Sequence, residues 1–488
     1  MAVRETPAAK IERLLQAGDN AGALAAANDF LKLSPNSFLA RLGRARANMR
    51  MANYVDAEID SALALKLSPN DEGARNLRAS LDLRLGRTDA AIEGFRFVKS
   101  LKGPQALEAA ISELLTLHNA GRSEEFVRVA KEGGSWTKDP RSELILARVA
   151  VIEDKERGLE ELKRVFRTRQ HLWPLRRFAG FEAVGILDKA GRYREAFDLA
   201  TEVHRETTGP LEMEMWNAPL EQQMKLLDRQ PAWYRPRAKP VEGVAFIAAM
   251  PRSGTTLLEQ MLDRHPAIGG IGEFDGLDHV CRTLFDGGLW PTRPSAVPDS
   301  LFNELQQRYL GGAHQIRKEG ATWTFDKTLR GWRALPEIAA VFPGAVCINV
   351  ERDPRDMATS IFLSYFNPTS YEWTRDFHAI CTIAEWQRRV VPRAFEVLGL
   401  KHTRFVYEDL VEDPAMNAEL CLKLMGLPMD ERVLSPEENK KGAWTLSHAQ
   451  VRQPINRKSI GRWKNYEWAF DSRWDDVVAA HEARRQHR

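Results

Sequence analysis

The apolar pattern changes character near the middle of the chain. Up to about residue 205 it repeats with a 34-residue register, so that LKLSPN at 31–36 returns at 65–70. A self-similar period of this length predicts helical hairpins that bury their apolar faces on one another. Small residues at Gly18, Ala52, Gly86, Gly121 and Gly191 share one phase, where the turn between paired helices must close tightly. Five residues after four of them stand Ala23, Ala57, Ala91 and Ala196, small enough for close helix approach. Pro35 and Pro69 end the second helices, because proline lacks the amide donor. The register weakens near Glu125 and fails around Glu156, where no small turn residue is present. From residue 244 the pattern is different. VAFIAAM (244–250) is a short unbroken apolar run, followed by a loop and then by Leu257, Leu258, Met261 and Leu262 at helical spacing, predicting strand, loop and helix. AVCINV (345–350) repeats the strand pattern, and Asp353-Pro354 opens the next helix, where proline suits the first turn.

Composition sharpens this division. Only Trp136 and Trp173 of the 13 tryptophans precede residue 200, so the two parts are built differently. QPAWYRPRAKP (230–240) carries three prolines and predicts a stiff connector, placing a helical domain at 1–229, a linker at 230–242 and a second domain at 243–488. The first part resembles the tetratricopeptide repeat over roughly residues 5–205, with a plain helical bundle as the alternative. That resemblance implies a concave face for a peptide or protein partner, or an internal brace. A net charge of +3 excludes the whole-molecule field of a nucleic-acid binder or polybasic membrane protein. Cys281, Cys347, Cys381 and Cys421 are far apart and suggest neither a disulfide framework nor a zinc module. With no apolar run long enough to span a bilayer and no signal-peptide pattern, a cytoplasmic protein is expected.

The candidate chemistry begins at PRSGTT (251–256). A glycine loop opening a helix aims backbone amides at a tetrahedral anion, and Arg252, Ser253, Gly254, Thr255 and Thr256 supply the donors and the bend. The triphosphate P-loop pattern is not met, since Ala248 stands at its first glycine and Thr255 at its lysine. AAMPRSGTTLLEQML instead resembles the 5′-phosphosulfate loop of sulfotransferases, in the form found in tyrosylprotein sulfotransferases and in bacterial sulfotransferases with tetratricopeptide repeats. An ordinary capped loop is the alternative for SGTT alone. In AVCINVERDPRDMATSIFLSYF (345–366), Arg352 at a strand end and Ser360 eight residues later resemble the family's 3′-phosphate motif. The tyrosylprotein enzymes carry another arginine four residues beyond the serine, whereas this chain has Ser364, so a cation from elsewhere is expected there. Arg352 taken alone also fits a surface salt bridge.

Transfer needs a base and a cation on the leaving side. In IGGIGEFDGL (268–277), glycines at 269, 270 and 272 let backbone approach the substrate around Glu273, a base candidate that must be within reach and partly desolvated. The resemblance gives Glu273 the role of the family's catalytic glutamate. His265, placed as a cap or on a solvated face, and His279 rank behind it. Lys327 in WTFDKTLRGW (323–332) matches the family lysine that stabilises the leaving group, with Trp323 and Trp332 excluding water. The stretch TLSHAQVRQPINRKSIGRWKNY (445–466) reads as a basic loop and resembles the family's cofactor lid. Ser447 matches the serine that assists the leaving phosphate, and RKSIGRWKN is similar to RKGxxGDWKN with one residue missing. That similarity implies cofactor contacts for Arg452, Arg457 and Lys458. Tyr407 resembles the tyrosine near the adenine, and equally fits a strand-end core residue.

Taken together, the resemblance over about 243–470 implies an all-α tetratricopeptide-type solenoid followed by an α/β, P-loop-like sulfotransferase domain with a central parallel sheet. The expected reaction moves a sulfuryl group from 3′-phosphoadenosine 5′-phosphosulfate (PAPS) to an acceptor hydroxyl, without metal. Peptide tyrosine, a sugar, a lipid and a small molecule all present such a hydroxyl, and the repeats favour a peptide or protein. A nucleotide kinase and a repeat-based scaffold with an inactive transferase domain are the alternatives.

Overall fold

The computed structural model describes residues 5–51, 53–229, 235–439 and 453–486. Ala52, the first part of the proline-rich connector, Ser447 and Arg452 lie outside the described residues. The fold divides into two compact units, residues 1–149 with 307–316 and residues 150–306 with 317–488.

Paired helices make up most of the first unit: Pro7–Gln16 with Asn20–Leu33, Phe38–Arg50 with Tyr54–Leu67, Glu72–Arg84 with Thr88–Ser100, and Ala106–Asn119 with Ser123–Glu132. Turn glycines Gly18, Gly86 and Gly121 have φ of 77°, 75° and 71°, and a Cβ on any of them would meet nothing within 4 Å. Left-handed backbone, rather than lack of room, therefore requires glycine at these turns. The alanines five residues later are selected for the opposite reason, since Ala23, Ala57 and Ala91 are 0%, 1% and 0% exposed at helix contacts. Asp19 and Asp71 cap their helices by accepting from the amides of Gly22 and Ala74, both at 2.8 Å.

In the second unit, Lys155–Arg167, Trp173–Lys189 and Tyr193–Thr207 continue the helical series. The irregular turn around Glu156 is a single residue, Asp154, whose carboxylate accepts from the amides of Glu156 at 3.0 Å and Arg157 at 3.1 Å. Gly158 takes over the packing role of the alanines: a Cβ there would stand 2.4 Å from both N and Cα of Val151. Gly158→Ala, ordinarily worth about 1 kcal/mol in favour of a helix, is expected instead to destabilise by about 1–3 kcal/mol. Thermal unfolding of the variant reads this as a fall in Tm, and a rise would contradict the close helix approach.

A five-stranded, wholly parallel sheet carries the chemistry, in the order β2-β3-β1-β4-β5: β1 (Val244–Ile247), β2 (Ile268–Gly270), β3 (Trp323–Asp326), β4 (Val346–Glu351) and β5 (Lys401–Val406). The unbroken apolar run of β1 follows from its central place, covered on both faces. Its core joins Ala245, Ile247 and Ile348 with Leu258, Met261 and Leu262 of the helix Thr255–Asp263. Register sets Phe246 opposite both Asp326 and Cys347, so the loops leaving β1, β3 and β4 emerge side by side. In open α/β sheets this carboxyl end is where ligands bind. All four cysteines are free and buried. Among the described residues, no helix is long and apolar enough to cross a membrane.

Candidate active site

Two left-handed residues, Arg252 (φ 68°) and Gly254 (φ 90°), bend the loop after β1 before the helix Thr255–Asp263 begins. Such alternation turns successive amides toward one point, and a non-glycine residue with positive φ marks strain held by its surroundings. The ring of Tyr407, which starts the helix after β5, holds Gly254 in place: a Cβ at Gly254 would lie 2.2 Å from Tyr407 Cδ2. Ser253, Thr255 and Thr256 are buried beneath the loop.

Three guanidinium groups converge on this bend. Arg252 Nε donates to Ser360 Oγ at 2.7 Å, joining the two expected phosphate motifs directly. Arg352, at the end of β4, donates from Nη1 to the carbonyl of Arg252 at 2.8 Å and from Nη2 to the carbonyl of Ser459, and its carbon Cζ stands 4.8 Å over the Tyr407 ring. Its Nε is buried with no partner among the described residues. Burial, then the positive charges of Arg352 and Arg462, push Arg252 down to about 10. The sequence motifs assign no role to Arg462. Its sequence signal is an arginine standing where the RKGxxGDWKN pattern has aspartate. The stretch around it is fixed by Asp356 on the helix Pro354–Phe362, which accepts from the amides of Gly461 at 2.7 Å and Trp463 at 2.8 Å. Arg457 and Lys458, just upstream, are exposed.

On the other side of β1 lie Glu273 and Lys327. Lys327 Nζ donates to Glu273 Oε1 at 2.8 Å, the lysine side chain being 1% exposed and the glutamate 44%. The Lys327 amide donates to the Gly272 carbonyl at 3.1 Å, so the ends of the β2 and β3 segments hold the pair in register. The Glu273 charge acts on Arg252 of the bend. Two of the neighbouring glycines also tie this segment to the first helix of the domain. Gly270 and Gly272 donate their amides to Asp263 and Glu259 on the helix Thr255–Asp263, each at 2.7 Å, and a Cβ on Gly270 would stand 2.9 Å from Glu259 Oε1. His265 is buried rather than solvated: Nδ1 accepts from the Ala267 amide at 3.1 Å and Nε2 lies 3.2 Å from the Pro428 carbonyl. Both ring nitrogens are thus occupied by backbone.

Residues 245–431, from β1 past β5, match the model of the sulfotransferase family. They form a sulfotransferase-family domain. Relatives include an uncharacterised protein of Aquifex aeolicus, 24% identical over 307 residues, covering 59% of this chain and 40% of that protein. Another is protein-tyrosine sulfotransferase 1 of Danio rerio, 27% identical over 240 residues, covering 45% of this chain and 64% of that protein. The chain thus spans less than two thirds of the length of either. Among solved structures, the sulfotransferase domain from the curacin biosynthetic pathway aligns with 17% identity and a TM-score of 0.35, covering 50% of this chain and 99% of that one. Within the sulfotransferase-family domain lie the bend, Arg352, Ser360, Tyr407, Glu273 and Lys327; Arg462 lies outside the matched span.

Proposed function

We propose that the chain transfers a sulfuryl group from PAPS to a hydroxyl of a peptide or protein, tyrosine first. The observation that carries this reading is the convergence of Arg252, Arg352 and Arg462 on a left-handed bend of amides, beside a carboxylate–ammonium pair. The positive charges of Arg352 and Arg462 act on Arg252, an environment that a polyanion stabilises, and the Arg352 Nε, buried and without a partner among the described residues, is a donor suited to one of its oxygens. Ser360 already accepts from Arg252, which leaves its own O–H to donate to an anion. The donor set therefore fits an adenosine 3′,5′-bisphosphate framework, with the bend and Arg252 on the 5′ side and Arg352 and Ser360 on the 3′ side. Arg462 supplies the cation that the chain lacks at Ser364. Among the sequence-expected lid residues, Ser447, Arg452, Arg457 and Lys458 remain assigned to this cofactor by resemblance.

When bound, PAPS supplies the sulfuryl group and a phosphate leaving group. Glu273, nearly half exposed, accepts the proton of the attacking hydroxyl. Lys327 spends one of its three donors on Glu273 and retains the others for negative charge on the leaving side. The names of the protein-tyrosine sulfotransferase relatives support tyrosine as the first acceptor to test. Calorimetric titration with adenosine 3′,5′-bisphosphate in EDTA, with ATP as comparison, is expected to give metal-independent binding tighter than that of ATP. Uptake of ATP alone, and only with magnesium added, would instead support a nucleotide kinase.

A further inference from the structure

We infer that Asp188, on the helix Trp173–Lys189 in the helical part of the chain, is a positioning residue for the cofactor site, acting through Arg462. This rests on the reading of the bend as a nucleotide site.

Asp188 grips two groups of one short segment. Its Oδ1 accepts from the Tyr466 hydroxyl at 2.5 Å and its Oδ2 from Arg462 Nη2. The carboxylate is well shielded, its side chain 14% exposed and that of Arg462 24%. Tyr466 is fully buried, and its ring packs edge-on against Tyr193 on the next helix at 5.4 Å. The segment 461–466 is thereby pinned from two directions, by Asp356 beneath the amides of Gly461 and Trp463 and by Asp188 beneath the side chains of Arg462 and Tyr466.

A second grip from the same helix touches the other cofactor element. Arg177 is fully buried, and its Nε donates to the carbonyl of Phe366 at 3.1 Å, just beyond the helix that carries Ser360. Nη1 donates to Thr207 Oγ1 at 3.0 Å, and Nη2 lies 3.4 Å from His204 Nδ1. His204 Nε2 lies 3.0 Å from the carbonyl of Phe362, and burial followed by the Arg177 charge pushes this histidine down to about 3. It is therefore neutral and holds the end of the helix Pro354–Phe362 at any ordinary pH.

Charge decides the direction of the effect. Removing Asp188 makes the site more positive, which favours anions in general. The segment that carries Arg462, however, lies against Arg352 through the Ser459 carbonyl, and the Arg462 charge acts on Arg252, so without the carboxylate, repulsion drives its flexible side chain outward. Loss of an oriented guanidinium outweighs the gain in diffuse potential, because bidentate phosphate contacts need fixed geometry.

In the full-length chain, Asp188→Asn is expected to weaken adenosine 3′,5′-bisphosphate binding by about tenfold in calorimetry. In an Arg462→Gln background the same change is expected to have no further effect, which a merely structural role would not produce. Tyr466→Phe, which removes only one hydroxyl, is the milder substitution with the same expected dependence on Arg462 if Asp188→Asn fails to fold. Unchanged affinity in Asp188→Asn, or an equal loss in both backgrounds, would overturn the inference. Absence of nucleotide binding by the unaltered chain would overturn the sulfotransferase reading itself, and with it this one.

Discussion

Glu273→Gln is expected to lower turnover by about 10²–10⁴-fold while leaving adenosine 3′,5′-bisphosphate affinity within about threefold. The amide keeps the shape and an oxygen for Lys327, which matters because that ammonium is buried. Removing the side chain altogether would leave a buried cation unpaired and confuse loss of the base with a local collapse. With glutamine only the proton acceptor is lost. The measurement is transfer of labelled sulfate from PAPS to a pool of tyrosine-containing peptides, set beside calorimetry of both forms. Undiminished transfer would remove Glu273 from the role of base.

Arg352→Ala should weaken adenosine 3′,5′-bisphosphate by about 10²–10⁴-fold, two charge-assisted hydrogen bonds at roughly 1.5–3 kcal/mol each being at stake. Adenosine 5′-phosphosulfate, which lacks the 3′-phosphate, should lose less than about tenfold. Some loss is expected even for the second ligand, because Arg352 also supports the carbonyl of Arg252 and hence the bend itself. The ratio of the two losses is therefore the quantity to read. An equal loss for both nucleotides would leave Arg352 as a structural support of the loop, with no part in holding the 3′-phosphate.

Much of this architecture is legible in the amino-acid sequence, for reasons that differ by element. The hairpin turns announce themselves because left-handed backbone admits few residues, and Gly18, Gly86, Gly121 and Gly191 all have φ between 71° and 77°. Strand β1 is legible because burial on both faces leaves only apolar residues, and the loop after it because its bend needs Gly254. Gly158 has no such signal, because its neighbour across the contact, Val151, lies in a helix joined to the next by one residue where the other hairpin turns have three. The pairing of Lys327 with Glu273 has no local signal either, although each residue carries its own motif. Parallel sheets bring together segments far apart in the chain, and nothing local records which strand ends become neighbours. Arg462 and Asp188 are the extreme case: an ion pair between residues 274 positions apart has no pattern of its own, whatever its effect on the site.

The partition of the chain bears on how it can be recombined. Residues 307–316 fall in sequence between β2 and β3, yet they belong to the same compact unit as residues 1–149. Within that unit, Gln315 Nε2 donates to Glu58 Oε2 at 3.2 Å, and Glu58 also binds Arg78 and Arg87 from the following repeat and its turn. A chimera that exchanges the repeats for those of another protein must therefore keep this last part of the helix Asp299–Ile316 with them, or rebuild the surface on which it rests. A single crossover in the proline-rich connector, the join that the sequence invites, would sever residues 307–316 from their partners.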